Sequence, residues 1–109
     1  MAYDEELVFR IRALLGDRPV TEKKMFGGLA FLIGGNMAIA ASGQGGILVR
    51  VDPAEGSELV ATTPAEMMEM RGRTMAGWLR VAAADVADDA ALAPWVERGA
   101  AYAASLPPK

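Results

Sequence analysis

The sequence predicts an α+β fold in two layers, an antiparallel sheet with helices packed on it. Two observations carry that expectation. Apolar residues recur with helical spacing near the start, the middle and the end of the chain, and with strand-like alternation in the two stretches between. Glycine and asparagine interrupt the alternating stretches at short intervals, which marks tight hairpins. The expected order is helix, three or four strands, helix, two strands, helix.

The first helix lies in "YDEELVFRIRALLG", where Leu7, Val8, Ile11, Leu14 and Leu15 form one face. Asp4 suits its N-cap, and Glu5 and Glu6 suit the positive end of the helix dipole. Glu6 and Arg10 stand one turn apart as an ion pair, and Gly16 offers a stop. From Thr21 to Asp52 the period is that of strands. "EKKMF" is either an edge strand or a lead into "GLAFLI", which puts Leu29, Phe31 and Ile33 on one face. "GGN" then turns the chain and "MAIAAS" returns with Met37 and Ile39. After "GQGG", the run "ILVRVD" sends Ile47, Val49 and Val51 one way and Leu48 and Arg50 the other.

Asp52, Pro53 and Glu55 read as the cap, first residue and capping-box acid of a second helix, which Gly56 weakens and which ends before Pro64. "EMMEMRGRTMAGWLRVA" is a second hairpin turning near Gly72. Met68 and Met70 share a face of its outgoing strand, and Leu79 and Val81 share a face of the returning one. Trp95, Val96, Gly99, Tyr102, Ala103 and Leu106 form the stripe of a closing helix after Pro94.

One folded domain, residues 1–109, is expected, because 109 residues at 52% hydrophobic and 23% charged suffice for one core and leave little room for a second. No apolar run reaches the roughly 18 residues of a membrane span, and the acidic opening "MAYDEEL" is unlike a secretory leader. A cytoplasmic protein with no membrane partner is therefore expected. Eleven basic against fourteen acidic residues give a net charge of −3, the wrong sign for nonspecific attraction to phosphate backbones. Direct nucleic-acid binding would need a local patch.

Cysteine and histidine are both absent, which removes disulfides, thiolates, the commonest general base and the usual zinc ligands. No catalytic residue, metal ligand or cofactor is assigned. The glycine pairs also fail the phosphate motifs. After Gly43 and Gly45 a dinucleotide fingerprint needs a glycine where Leu48 stands and a helix where a strand follows, and no Gly-Lys-Ser/Thr tripeptide opens a helix. Gly27, Gly28, Gly34 and Gly35 are read as turns, bulges or points of close strand approach. Asp85, Asp88 and Asp89 lack the glycine and glutamate of a calcium loop and stand where a helix starts, so they read as capping residues.

A contact surface is the remaining candidate. Met67 and Met68 point to opposite faces of one strand, so one of them turns away from the main core, and seven methionines favour adaptable contact. Trp78 and Arg80 share the face opposite Leu79 and Val81, with Arg71 and Arg73 in or near the preceding turn. An aromatic among arginines suits protein recognition, and packing of Trp78 under a helix is the competing reading. Lys23 and Lys24 point to opposite faces, which suits a solvated edge that discourages aberrant pairing better than a shared anion site. The expected surface is thus Lys23, Lys24, Met67, Arg71, Arg73, Trp78 and Arg80, meeting a protein partner, with a homodimer left open.

Lys24-Met25-Phe26-Gly27-Gly28, the hairpin turning at Gly35-Asn36-Met37, the strand Trp78-Leu79-Arg80-Val81 and the closing "SLPPK" together resemble the N-terminal domain of the TfoX/Sxy family of competence regulators. The resemblance spans nearly the whole chain. It implies an α+β sandwich similar to secretion chaperones, and a coactivator-like role at DNA-uptake genes rather than catalysis. Regulatory members carry a second, helical C-terminal domain, and this sequence stops at Lys109, so a stand-alone N-terminal domain is the expectation. Three functions follow. The first is a non-catalytic protein-interaction module with a competence-type regulatory role. The second is direct nucleic-acid binding through Lys23, Lys24, Arg71 and Arg73, which the net charge disfavours. The third is a small-ligand binder or enzyme using carboxylates and a sheet-face pocket.

Overall fold

The computed structural model describes residues 4–25, 27–43, 45–70 and 72–108, the side chains of Met70 and Ala76 excepted. Asp4 accepts hydrogen bonds from the Glu6 and Leu7 amides and so caps helix α1 (Glu5–Leu15), which Gly16 ends. Strands β1 (Thr21–Met25), β2 (Gly28–Ile33), β3 (Asn36–Ala41) and β4 (Ile47–Arg50) follow. Then come α2 (Pro53–Thr62), β5 (Glu66–Met70), β6 (Arg73–Val81), a short 3-10 turn at Ala83–Val86, and α3 (Asp89–Ser105). The six strands pair antiparallel in the spatial order β1-β2-β3-β4-β6-β5, which makes β1 and β5 the edges. The class read from the sequence, an α+β fold with helices packed on an antiparallel sheet, is the one observed.

The alternation of each strand decides what the helices cover. Leu29, Phe31 and Ile33, then Ile47, Val49 and Val51, then Leu79 and Val81 all face the helices, as their spacing predicts. Leu7, Val8, Ile11 and Leu15 of α1, Leu59 of α2, and Leu92, Trp95 and Val96 of α3 complete this core. Gly99 allows α3 to lie close on β3, since a Cβ there would stand 2.3 Å from the Ala38 carbonyl oxygen. Gly34 and Gly35 hold φ of 61° and 83°, the left-handed pair that turns β2 into β3. Gly28 works by close approach: a Cβ there would stand 1.9 Å from the Ala41 carbonyl oxygen.

Three local expectations change. Met37 and Ile39 part company, because the register passes from Phe31↔Ile39 to Leu32↔Met37 and leaves Ala38 as an extra residue. Ile39 stays under the helices, while Met37 turns to the other face. Arg10 does not pair with Glu6; its Nε donates to Asp89 at 2.9 Å and its guanidinium to the Val86 carbonyl at 3.0 Å, tying α1 to the start of α3. Finally, α3 starts at Asp89 and not after Pro94, because the Asp88 carboxylate accepts from the Ala91 amide at 2.8 Å and caps it early. Pro94 removes the hydrogen bond to the Ala90 carbonyl, but both residues lie at the surface, within reach of solvent.

Two outcomes are expected. Gly28→Val should lower stability by about 1–3 kcal/mol, since the new side chain meets backbone rather than a movable side chain; an unchanged melting midpoint would contradict the close approach. The second concerns Arg12, whose Nε and a terminal nitrogen donate to the two Glu22 oxygens at 2.6 and 2.8 Å. Those hydrogen bonds hold the Glu22 carboxyl below its ordinary range. The pair's contribution is therefore complete above the unfolded value of about 4.3 and fades as the pH falls through the lower folded value. Both side chains are partly solvated, so Glu22→Gln should cost under about 1 kcal/mol at pH 7. Melts of both forms should converge as the pH drops below that range.

Candidate interaction face

The sheet face away from the helices carries a second apolar cluster, made by strand residues alone. Ala30, Met37, Ala40, Leu48 and Met68 are buried there, and Met25, Leu32 and Trp78 pack around them half-buried. The alanines are small enough for the longer neighbours to close over them, so the centre is dry without a covering helix. Met75, half-buried, lies opposite Met68 and extends the cluster.

Trp78 settles between the two readings offered for it. It faces away from the helices, as predicted, yet it is half-buried in this cluster. Arg50 is its cross-strand partner, with the guanidinium carbon 5.2 Å from the Trp78 ring centre and 5.8 Å from that of Tyr102 on α3. One cation is thus held by two rings and links the helix layer to the strand-only face. Among the described residues this guanidinium has no hydrogen-bond or carboxylate partner, which leaves its donor edge unused. Strand alternation alone puts Arg50 on this face but does not reveal the trio. Its signal was parity, since Arg50 and Trp78 each oppose the core residues of their own strands; what was lacking was that β4 pairs with β6 and not with β5.

The other expected residues divide. Arg80 is half-buried on the strand-only face and donates from a terminal nitrogen to the Ser42 hydroxyl at 3.1 Å, opposite Glu66 and Leu48. Arg73 is exposed on the same strand, two residues from Met75 and so on the same face. Lys23 lies opposite Ala30 on this face, whereas Lys24 lies opposite Leu29 on the helix side, so the two do not share a site. Both are exposed on the edge strand. Met67 is a correction: it pairs with Leu79 and packs against the helix-side core, while Met68 is the methionine that turns away. The bulge after Met67 separates the two. Arg71 and the Met70 side chain lie outside the described residues.

The helix side offers hollows rather than a reactive cluster. One of about 540 Å³ lies between the start of α2 and α3, and its Glu55 and Glu97 are engaged with Arg98 and Arg18. Another of about 330 Å³ is lined by Leu59, Pro64, Pro94 and Trp95. Asp4, Asp52 and Asp88 are helix caps. Among the described residues no helix is long and apolar enough to cross a membrane.

Trp78→Ala should cost about 1–3 kcal/mol, less than the roughly 3–5 kcal/mol of a fully buried aromatic. An unchanged thermal midpoint would place the ring outside the cluster.

Residues 12–103 match the family model described as the TfoX N-terminal domain. No curated protein and no solved structure matches the chain.

Proposed function

The chain belongs to the TfoX N-terminal domain family, and from that membership we propose that it is a non-catalytic protein-interaction module with a competence-type regulatory role. The observation that carries the reading is the strand-only face, where Trp78, Arg50 and Arg80 stand beside a methionine-rich apolar cluster. Such faces match the anchors of protein interfaces, in which aromatic and arginine side chains dominate and methionine adapts to its partner. The carboxylates support a non-catalytic role, since Asp4, Asp52 and Asp88 cap helices while Glu22, Glu55, Asp89 and Glu97 are ion-paired.

Direct nucleic-acid binding is the second reading, favoured by the cations Lys23, Arg50, Arg73 and Arg80 on one face. An apolar centre gives phosphates nothing to bond, and the net charge of −3 opposes approach.

A photo-crosslinking residue at Arg73 should trap a component of the transcription machinery in the source cell, and one at the helix-side Glu58 should not. Duplex DNA should bind no better than about 10⁻⁴ to 10⁻⁶ M at physiological salt. Submicromolar, salt-sensitive binding that is lost when Lys23, Lys24, Arg71 and Arg73 become alanine would replace this reading with the second.

A further inference from the structure

Charge is sorted between the two sides of the sheet although the whole chain is acidic. Among the described residues the four ion pairs, Arg10–Asp89, Arg12–Glu22, Arg18–Glu97 and Arg98–Glu55, all lie on the helix side. Arginines there are neutralised by a surplus of carboxylates. The strand-only face is the reverse, with Lys23, Arg50, Arg73 and Arg80 set against Glu66, and with Asp85 lining the hollow beside Arg80, and none of these four cations is in an ion pair among the described residues. These cations run from one edge of the sheet towards the other, around an apolar middle.

Resting on the interaction-module reading, we propose that this face docks an acidic amphipathic segment of a protein partner. Its carboxylates would meet Lys23, Arg50, Arg73 and Arg80, and its apolar side chains would cover the half-buried Met25, Leu32, Met75 and Trp78. Charge complementarity selects the occupant. Two copies of a basic face repel one another, which disfavours a symmetric dimer through it. A phosphate backbone would satisfy the cations and leave the half-buried Met25, Leu32, Met75 and Trp78 against charge, whereas an acidic amphipathic segment satisfies both. Arg50 is the anchor, because its guanidinium carbon lies 5.2 and 5.8 Å from two ring centres and has no carboxylate partner among the described residues, so its donors can meet a bidentate carboxylate.

The test uses a fluorescein-labelled synthetic peptide with leucines on one helical face and glutamates on the other, and its counterpart with lysine for every glutamate. By anisotropy at physiological salt the glutamate peptide should bind and the lysine peptide should not. Arg50→Gln, and separately the exposed pair Lys23→Gln with Arg73→Gln, should each weaken binding by about tenfold or more. The pair Arg12→Gln with Arg98→Gln makes the same change in net charge on the helix side and should leave binding unchanged. Should Arg50→Gln unfold the domain in a parallel melt, the exposed pair alone decides. The inference is overturned if the lysine peptide binds equally, if the glutamate peptide fails to bind, or if the helix-side pair weakens binding as much. It is also overturned if duplex DNA displaces the peptide in a Lys23- and Arg73-dependent way, or if the protein proves to be a dimer that the same pair dissociates. Failure of the peptides alongside a protein crosslink at Arg73 removes only the acidic partner; failure of both removes the interaction module as well.

Discussion

The crossing of α3 over β3 is the contact on which the remaining structure depends. Gly99 meets the Ala38 backbone at a distance that leaves no room for a Cβ, so α3 settles onto the centre of the sheet rather than standing a side chain's length above it. Trp95, Val96, Ala100 and Ala103 then reach the core, and α1 closes against α3 with Arg10 bound to Asp89 and Val86. Ala38 is also the extra residue of the β3 bulge. One irregularity therefore has two consequences, a backbone surface on which the helix seats and a reversal that sends Met37 to the opposite face. The second apolar cluster exists partly because the first core was closed this way.

What was legible in the sequence was local. Asp4, Asp52 with Pro53, and the Gly34–Gly35 turn act within a few residues, and each does what its type and position dictate. The alternation of Leu29, Phe31 and Ile33 was readable because β2 keeps its own two-residue period. Met37, Met67 and Arg10 were misplaced for a common reason: each was assigned from its own segment, while its position is set by a distant one. A bulge shifts parity without leaving a mark in composition, and Arg10 finds a better acceptor in a helix almost eighty residues away than in the glutamate one turn back.

Charge shows the same division between local and spatial information. Net charge averages over both sides of the sheet and hides their opposition. Only alternation combined with strand order recovers it, because Arg50, Arg80 and Trp78 gather when β4 lies beside β6. The candidate face was half visible before its neighbours were known: Trp78 and Arg80 could be placed on it by parity, whereas Arg50 could be given an orientation but no role.

The sheet edges bear on how such a face would be used. β1 is exposed on both sides and carries Lys23 and Lys24, while the other edge, β5, carries the exposed Glu66 and Glu69. Charged side chains along a free edge oppose the addition of a further strand, because pairing would draw them together and strip their water. Strand addition is thus resisted at both ends of the sheet. On the proposed reading a partner would be left with side-chain contact across the face, where apolar area would supply affinity and the cations would decide which sequence is accepted. On the proposed reading such a domain would discriminate through the chemistry of the approaching side chains, with Arg50, whose guanidinium carbon lies 5.2 and 5.8 Å from the Trp78 and Tyr102 ring centres, as its central cation.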